Sequence, residues 1–284
     1  MPSDIVLGAA SFGTLGSVRS AIDALSFALD HGISAIDTSP SYGVDHLSEK
    51  IVGSVCGGVT GVRVFSKVLC PPLGSKDHGD AIVQSVEQSL ARLRRDRLDI
   101  VFIESHPVDG WAEAVVSQLR PLVSGATIGE IGIFFHDDKP LTRQTLDFLQ
   151  GELGTVPVEH PRNLLRRDEF YQDLQPEQVF ATAPLAGGLL TGKYSAERTV
   201  PARFDQFPDL VMDGAFREAD RLWRALGSLP GGLTGVALAW VLDQPALRGM
   251  VLGVRDARQL RDCLTSLATF RAALPELTAS RGSL

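Results

Sequence analysis

The sequence predicts a single closed (β/α)8 barrel over residues 1–284, and three observations predict it. Short apolar or β-branched runs alternate with helix-period segments eight times, the pattern of a parallel sheet with helices outside. No linker or break in composition interrupts that alternation. After the first strand the chain reads Gly8-Ala9-Ala10-Ser11-Phe12-Gly13. That is not the Gly-x-Gly-x-x-Gly with which an open dinucleotide-binding sheet begins, so the open doubly wound sheet is the second choice.

The elements follow in order. Ile5 to Ala10 is an apolar run that reads as a buried strand and loop. Ser20 to Asp30 places Ala21, Leu25, Ala28 and Leu29 on one face, a helix closed by His31-Gly32. A strand from Ile33 to Ile36 delivers Asp37, and a tight proline-containing turn then presents Tyr42. A helix covers His46 to Val55, and the β-branched run Val62 to Val68 carries Lys67 near its end. Asp77 opens a helix with Ile82, Val86, Leu90 and Leu93 three or four apart. The strand Asp99 to Ile103 is followed by His106 and Pro107. Helix Trp111 to Leu122, strand Thr127 to Ile133, helix Leu141 to Leu149 and strand Thr155 to Val158 come next. Helix Asp168 to Leu174 and strand Gln178 to Ala183 follow. Glycine-rich Pro184 to Lys193 breaks the rhythm, and a long loop runs to Pro208. Helices Phe216 to Leu226 and Leu233 to Asp243, strand Gly249 to Gly253 and helix Ala257 to Phe270 close the fold. The tail from Pro275 is expected to be weakly ordered.

Composition narrows the function classes. Hydrophobic residues make up 44% of the chain, ample for a full core, and the formal net charge is −7. No basic patch stands out, which argues against a nucleic-acid partner. No apolar run approaches a membrane span and no signal peptide is visible. The three cysteines, Cys56, Cys70 and Cys263, are far apart without a Cys-x-x-Cys pattern, as in a cytoplasmic protein with reduced thiols. No metal site is expected.

Four polar residues fall at three consecutive strand ends: Asp37, Tyr42 behind it, Lys67 and His106. In a parallel barrel those ends share one rim, so the four side chains should converge. Each alone has a bland explanation, such as a helix cap, a rim aromatic, a snorkelling lysine or a loop histidine. Together they suit one task, protonating a carbonyl oxygen while hydride reaches its carbon. A phenol with a pKa near ~10 is too weak an acid at neutral pH. A buried ammonium stabilises its phenolate, a carboxylate fixes that ammonium, and a neutral histidine can donate to the carbonyl oxygen.

With those residues in place the chain resembles the aldo-keto reductase superfamily. Gly32 to Gly43 is similar to the family's Asp and Tyr segment, Val64 to Val68 to its Lys strand and Asp99 to His106 to its His strand. Ala183 to Tyr194 matches its pyrophosphate loop, and Ala237 to Leu242 and Gly253 to Leu264 match its closing segments. The resemblance implies a (β/α)8 TIM barrel that reduces aldehydes and ketones with extended NADPH. It implies catalytic roles for Asp37, Tyr42, Lys67 and His106. It places Phe135, Glu159, Pro184, Leu185, Gly187, Lys193, Gly253, Arg255 and Gln259 on the cofactor. The backbone N–H groups from Leu185 to Leu190, with Lys193, would hold the pyrophosphate, and Arg255 a 2′-phosphate.

The chain also departs from that family. Met1-Pro2-Ser3-Asp4 leads straight into the first strand, with no obvious hairpin to seal the barrel floor. Phe134-Phe135 replaces a Ser-Asn pair, Glu159 a Gln, and Thr182 an aromatic ring that stacks on nicotinamide. Gln259 and Cys263 stand where Arg (or Gln) and Asn are common. An ionised Glu accepts from a carboxamide NH2 but cannot donate to its oxygen. NADPH binding is therefore expected to be weak or lost, and relatively better for NADP⁺. The expected activity is reduction of a small-molecule carbonyl with Tyr42 as proton donor. The alternatives are a cofactor-independent acid-base enzyme (dehydration, elimination or isomerisation) and a non-catalytic binding subunit.

Overall fold

The computed structural model describes residues 4–68, 78–104, 111–134, 143–167, 178–194, 214–245 and 247–281. Eight strands close into one parallel barrel in sequence order: β1 Ile5–Gly8, β2 Ala35–Asp37, β3 Arg63–Val68, β4 Leu98–Glu104, β5 Ile128–Phe134, β6 Val158–Pro161, β7 Val179–Thr182 and β8 Leu247–Gly253. β8 pairs back onto β1 through Ile5↔Met250 to Gly8↔Gly253. The helices outside are α1 Val18–Asp30, α2 Leu47–Cys56, α3 His78–Leu93, α4 Trp111–Ser124, α5 Arg143–Leu153, α6 Ala215–Leu226, α7 Gly232–Leu242 and α8 Ala257–Arg281. The (β/α)8 expectation holds. Among the described residues no helix is long and apolar enough to cross a membrane.

Strand alternation divides the core into two shells. Outward residues such as Leu7, Ile36, Val64, Val101, Ile133 and Val158 pack against the helices in the large outer cluster. Inward residues Val6, Ala35, Phe65, Ile100, Phe102, Phe180 and Val251 fill the barrel itself. Phe65, Phe102 and Phe180 meet edge to face, with centroids 5.2–6.2 Å apart, a geometry that adds to simple burial. Gly132 makes room for this plug, since a Cβ there would lie 2.6 Å from the Phe102 ring. Below it, Arg248 makes a two-armed ion pair with Glu130 and covers Phe180 at 5.4 Å, while Arg63 lies 5.8 Å from the Phe65 ring. The barrel floor is thus closed by charged side chains of the strands themselves.

Several element ends shift by one or a few residues from the sequence expectation, and two shifts are of most consequence. β6 lies at Val158–Pro161 rather than Thr155 to Val158. Prolines at 157 and 161 read as strand breakers, but a proline's carbonyl still accepts, and Ile133 donates to Pro157. Glu159 is consequently on the strand, not past it. The tail from Pro275 continues α8 to Arg281 instead of loosening. The expected helix Asp168 to Leu174 and most of the loop to Pro208 lie outside the described residues.

Candidate active site

The site sits at the C-terminal mouth of the barrel, directly above the phenylalanine plug. Asp37 ends β2, Lys67 is the penultimate residue of β3, and Glu159 is the second residue of β6. All three point inward by strand alternation, in register with Ala35, Phe65 and the inner ring of Phe180. The Lys67 ammonium donates to Asp37 Oδ1 and to Glu159 Oε2, each at 2.6 Å. It also lies 5.3 Å from the Phe102 and Phe134 ring centres and 5.8 Å from that of Tyr42. The cluster is withdrawn from water: Asp37 is 3% exposed, Lys67 7% and Glu159 0%.

Tyr42 is held by a pinned loop. Its N–H donates to Ser39, and its carbonyl accepts from Ser48. The Ser48 hydroxyl bridges to Thr38 and to the Ala9 carbonyl, and His46 Nδ1 lies 2.6 Å from the Pro40 carbonyl. Gly43 supplies the sharp turn at φ +78°, where a Cβ would press on Leu47 and the Phe12 carbonyl. Asp45 and His46 are left-handed as well. The loop therefore fixes the phenol beside Lys67 rather than letting it swing.

Electrostatics in the cluster run partly against the sequence expectation. Burial raises the Tyr42 phenol above its ordinary value. Lys67 lowers it, as expected, but Asp37 and Glu159 raise it again, and the net shift is upward. Burial acts to lower the Lys67 ammonium, yet Asp37 and Glu159 hold it well above its usual range. Glu159 is pushed up to about 8, by burial first and by the Asp37 charge second, with Lys67 opposing. Its other oxygen, Oε1, is buried and meets no hydrogen-bond donor among the described residues. One ammonium is shared between two carboxyl groups, and the phenol receives only part of its field.

Of the expected catalytic residues, Asp37, Tyr42 and Lys67 come together. His106 lies outside the described residues, as does Phe135. One mouth residue, Glu104, escaped the expectation, and another has a contact that was not foreseen. Glu159 had been assigned only to the cofactor, and it binds Lys67 directly. β4 also runs through Glu104, one residue beyond the expected end. Glu104 shares the inward parity of Ile100 and Phe102 and lies in one register row with Phe134 and Glu159. Counting by twos along β4 from Ile100 and Phe102 finds Glu104 once the strand's end is known, and the same alternation along β6 puts Glu159 opposite in face to Val158.

The remaining cofactor candidates line one side of the rim. Pro184 is buried, and the loop after β7 bends through left-handed Ala186, Gly187, Gly188 and Gly192. Such a run can form an anion-binding concavity. Here the N–H groups of Ala186, Gly188 and Leu190 already close turns within the loop on Ala183 and Leu185. Lys193 is exposed beside it. Arg255 is half-exposed, 3.6 Å from Asp256, and its N–H is accepted by Gln259. Gly253 and Gly8, paired in register next to Asp37, leave the β8–β1 edge of the mouth without side chains. A Cβ on Gly253 would meet nothing within 4 Å.

Comparison with known proteins agrees with this architecture. The Aldo/keto reductase family model matches residues 4–273. The chain belongs to the aldo/keto reductase family. It is an aldo-keto reductase-type oxidoreductase. An uncharacterized oxidoreductase, YrpG, of Bacillus subtilis (strain 168) is 28% identical, covering 93% of this chain and 87% of that protein. A probable voltage-gated potassium channel subunit beta of Oryza sativa subsp. japonica is 24% identical over 94% of this chain and 88% of its own length. The holo form of an aldo-keto reductase from Bacillus halodurans superposes with a TM-score of 0.73 at 18% identity, covering 93% and 86% of the two chains, and shares the fold. At Glu159, where the resemblance leads one to expect a neutral Gln, this aldo-keto reductase has a buried carboxyl group 2.6 Å from the Lys67 ammonium.

Proposed function

We propose that this aldo-keto reductase reduces an aldehyde or ketone to the alcohol with NADPH, with Tyr42 as the proton donor. The observation that carries the reading is the phenol of Tyr42 held against a lysine that is itself locked between carboxyl groups. The nicotinamide cofactor, when bound, supplies the hydride. Tyr42 delivers its hydroxyl proton to the oxygen on which negative charge develops, and the Lys67 ammonium stabilises the phenolate left behind. Asp37 and Glu159 hold Lys67 charged and in place. His106 is proposed as a second donor to the carbonyl oxygen.

The residues present fit such a cofactor. The side-chain-free edge at Gly8 and Gly253 leaves room for a flat ring above the barrel, and the unpartnered Glu159 Oε1 suits a carboxamide. Leu185, Gly187 and Lys193 would hold the pyrophosphate, and Arg255 with Gln259 the adenosine end. Asp256 beside Arg255 competes for that guanidinium, so the preference for a 2′-phosphate is expected to be modest. A second reading, cofactor-independent acid-base chemistry, is favoured by one observation, a buried acid held near neutrality beside Tyr42 and Lys67. Titration of the purified protein with NADPH, followed by nucleotide fluorescence, separates the two. Saturable binding together with NADPH oxidation by benzaldehyde supports the reductase. No binding to wild type or to Phe135→Asn combined with Glu159→Gln moves the assignment to the acid-base enzyme.

A further inference from the structure

We propose that Glu159 is a proton-carrying positioning residue: it holds the single proton that makes the buried Asp37–Lys67–Glu159 cluster neutral, and losing that proton weakens Tyr42 as an acid. The second clause rests on the reading of Tyr42 as proton donor.

Charge counting leads to the first clause. One ammonium stands 2.6 Å from two carboxyl groups, and none of the three is more than 7% exposed. With both carboxyls ionised, the cluster would hold a negative charge away from water that no group among the described residues compensates, an arrangement that proteins avoid by taking up a proton. Hydrogen-bond counting says where that proton goes. Asp37 Oδ1 and Glu159 Oε2 each accept from Lys67, while Glu159 Oε1 accepts from no donor among the described residues, and the Glu159 carboxyl lies close enough to Asp37 for a proton it carries to be shared with that carboxylate. A proton on Oε1 displaces no existing bond. The shift of Glu159 to about 8 runs in the same direction.

The groups facing Glu159 among the described residues are few. β2 and its loop present Asp37 and Tyr42, β3 presents Lys67, and the end of β4 presents Glu104. β5 and β7 present uncharged Phe134, Phe180 and Thr182, and β8 and β1 present glycines. On β6 itself His160 turns to the other face by alternation. Three of these groups are acids when ionised or phenolic, and only Lys67 is a cation. Ionising Glu159 thus draws on the same ammonium that must stabilise the Tyr42 phenolate. During turnover the Tyr42 O–H bond breaks and the alcohol O–H bond forms, and Glu159 keeps its own proton throughout.

Infrared difference spectra of the full-length protein across pH test the proton directly. Wild type should show the C=O stretch of a protonated carboxyl at neutral pH, lost as pH rises through about 8. Glu159→Gln should lack that band. In parallel, kcat for benzaldehyde with NADPH should fall across the same pH step in wild type, with KM little changed, and the step should vanish in Glu159→Gln. Glu159→Asp, which keeps a titrating group, should retain a step at a displaced pH and serves if the Gln variant folds poorly. Absence of the band at neutral pH, or its persistence in Glu159→Gln, overturns the proposal whatever the activity. A kcat step unchanged in Glu159→Gln overturns the link to Tyr42. Should no NADPH turnover occur at all, the proton-donor reading of Tyr42 fails and takes the second clause with it, while the infrared arm still decides the first.

Discussion

Ser66 and Lys67 are neighbours on β3, point to opposite faces of the sheet, and each ends on a fully buried glutamate. Outside the barrel, Glu49 of α2 accepts from Ser66 Oγ at 2.7 Å through one oxygen and from Arg92 Nε at 2.6 Å through the other. Its charge is balanced and both oxygens are occupied. Inside, among the described residues, Glu159 shares the Lys67 cation with Asp37 and has one oxygen that meets no donor. The outer glutamate ties α2, β3 and α3 together. The inner one stores an imbalance that a fold would not tolerate without a use, because a half-satisfied buried polar group costs more than an apolar one. Burial alone therefore does not tell the two glutamates apart; the balance of charge and bonding around each does.

The sharpest way to break this contrast is Lys67→Met. It removes the cation that Asp37 and Glu159 share, the only one beside them among the described residues, so turnover should disappear. Breaking a buried pair by removing one partner costs about 3–5 kcal/mol. Urea midpoints measure it, and Lys67→Met with Asp37→Asn should recover part of the stability and none of the activity. A single variant that unfolds like wild type would mean that the mouth cluster is hydrated and no different in kind from a surface pair.

Tyr42→Phe comes next and separates chemistry from scaffold. It deletes the hydroxyl while keeping the ring beside Lys67. Turnover should fall by about 10²–10⁴-fold, the usual worth of a positioned general acid. The denaturation midpoint should hardly move. Near-normal turnover would assign the proton to another group, with His106 the next to test.

Smaller still is the pH dependence of stability, where the inner glutamate should leave its signature. Below the ordinary carboxyl range both folded and unfolded chains carry the Glu159 proton. Above that range and up to about 8, only the folded chain keeps it. The unfolded state then binds fewer protons, so stability should decline as pH rises through this window. Glu159→Gln should flatten that decline, measured as urea midpoints at a series of pH values. An equal decline in both proteins would place the responsible group elsewhere.

How much of this was legible beforehand depended on which periodicity carried the information. The eight alternations gave the barrel because apolar strands and amphipathic helices differ in period. Asp37 and Lys67 were readable because each stands at or near the end of an apolar run, and Tyr42 because a tight proline-containing turn follows Asp37. Glu159 was placed on the wrong side of a boundary because Pro157 and Pro161 hide a strand whose carbonyls still pair. Glu104 was hidden by a one-residue error at the end of β4. The upward shift of Tyr42 could not be read at all, since it comes first from burial and then from the carboxyls of Asp37 and Glu159, the second of which arrives from β6, 92 residues beyond Lys67.

The smallest effect is expected at the outer glutamate, and it closes the comparison. Glu49→Gln keeps the shape and one acceptor but turns an NH2 group toward either Ser66 or Arg92. Ser66 can adapt by rotating its hydroxyl to accept, and Arg92 retains its bond to Ser89 Oγ at 3.1 Å. Leaving one buried polar group poorly paired costs roughly 1–3 kcal/mol. The unfolding midpoint should drop accordingly, with kcat, KM and the alkaline step in kcat all unchanged, because the sheet separates Glu49 from the mouth. A shift of that step in Glu49→Gln would mean that Ser66 transmits to Lys67 along β3. The two glutamates would then form one network across the strand, and the division between wall and mouth drawn above would fall.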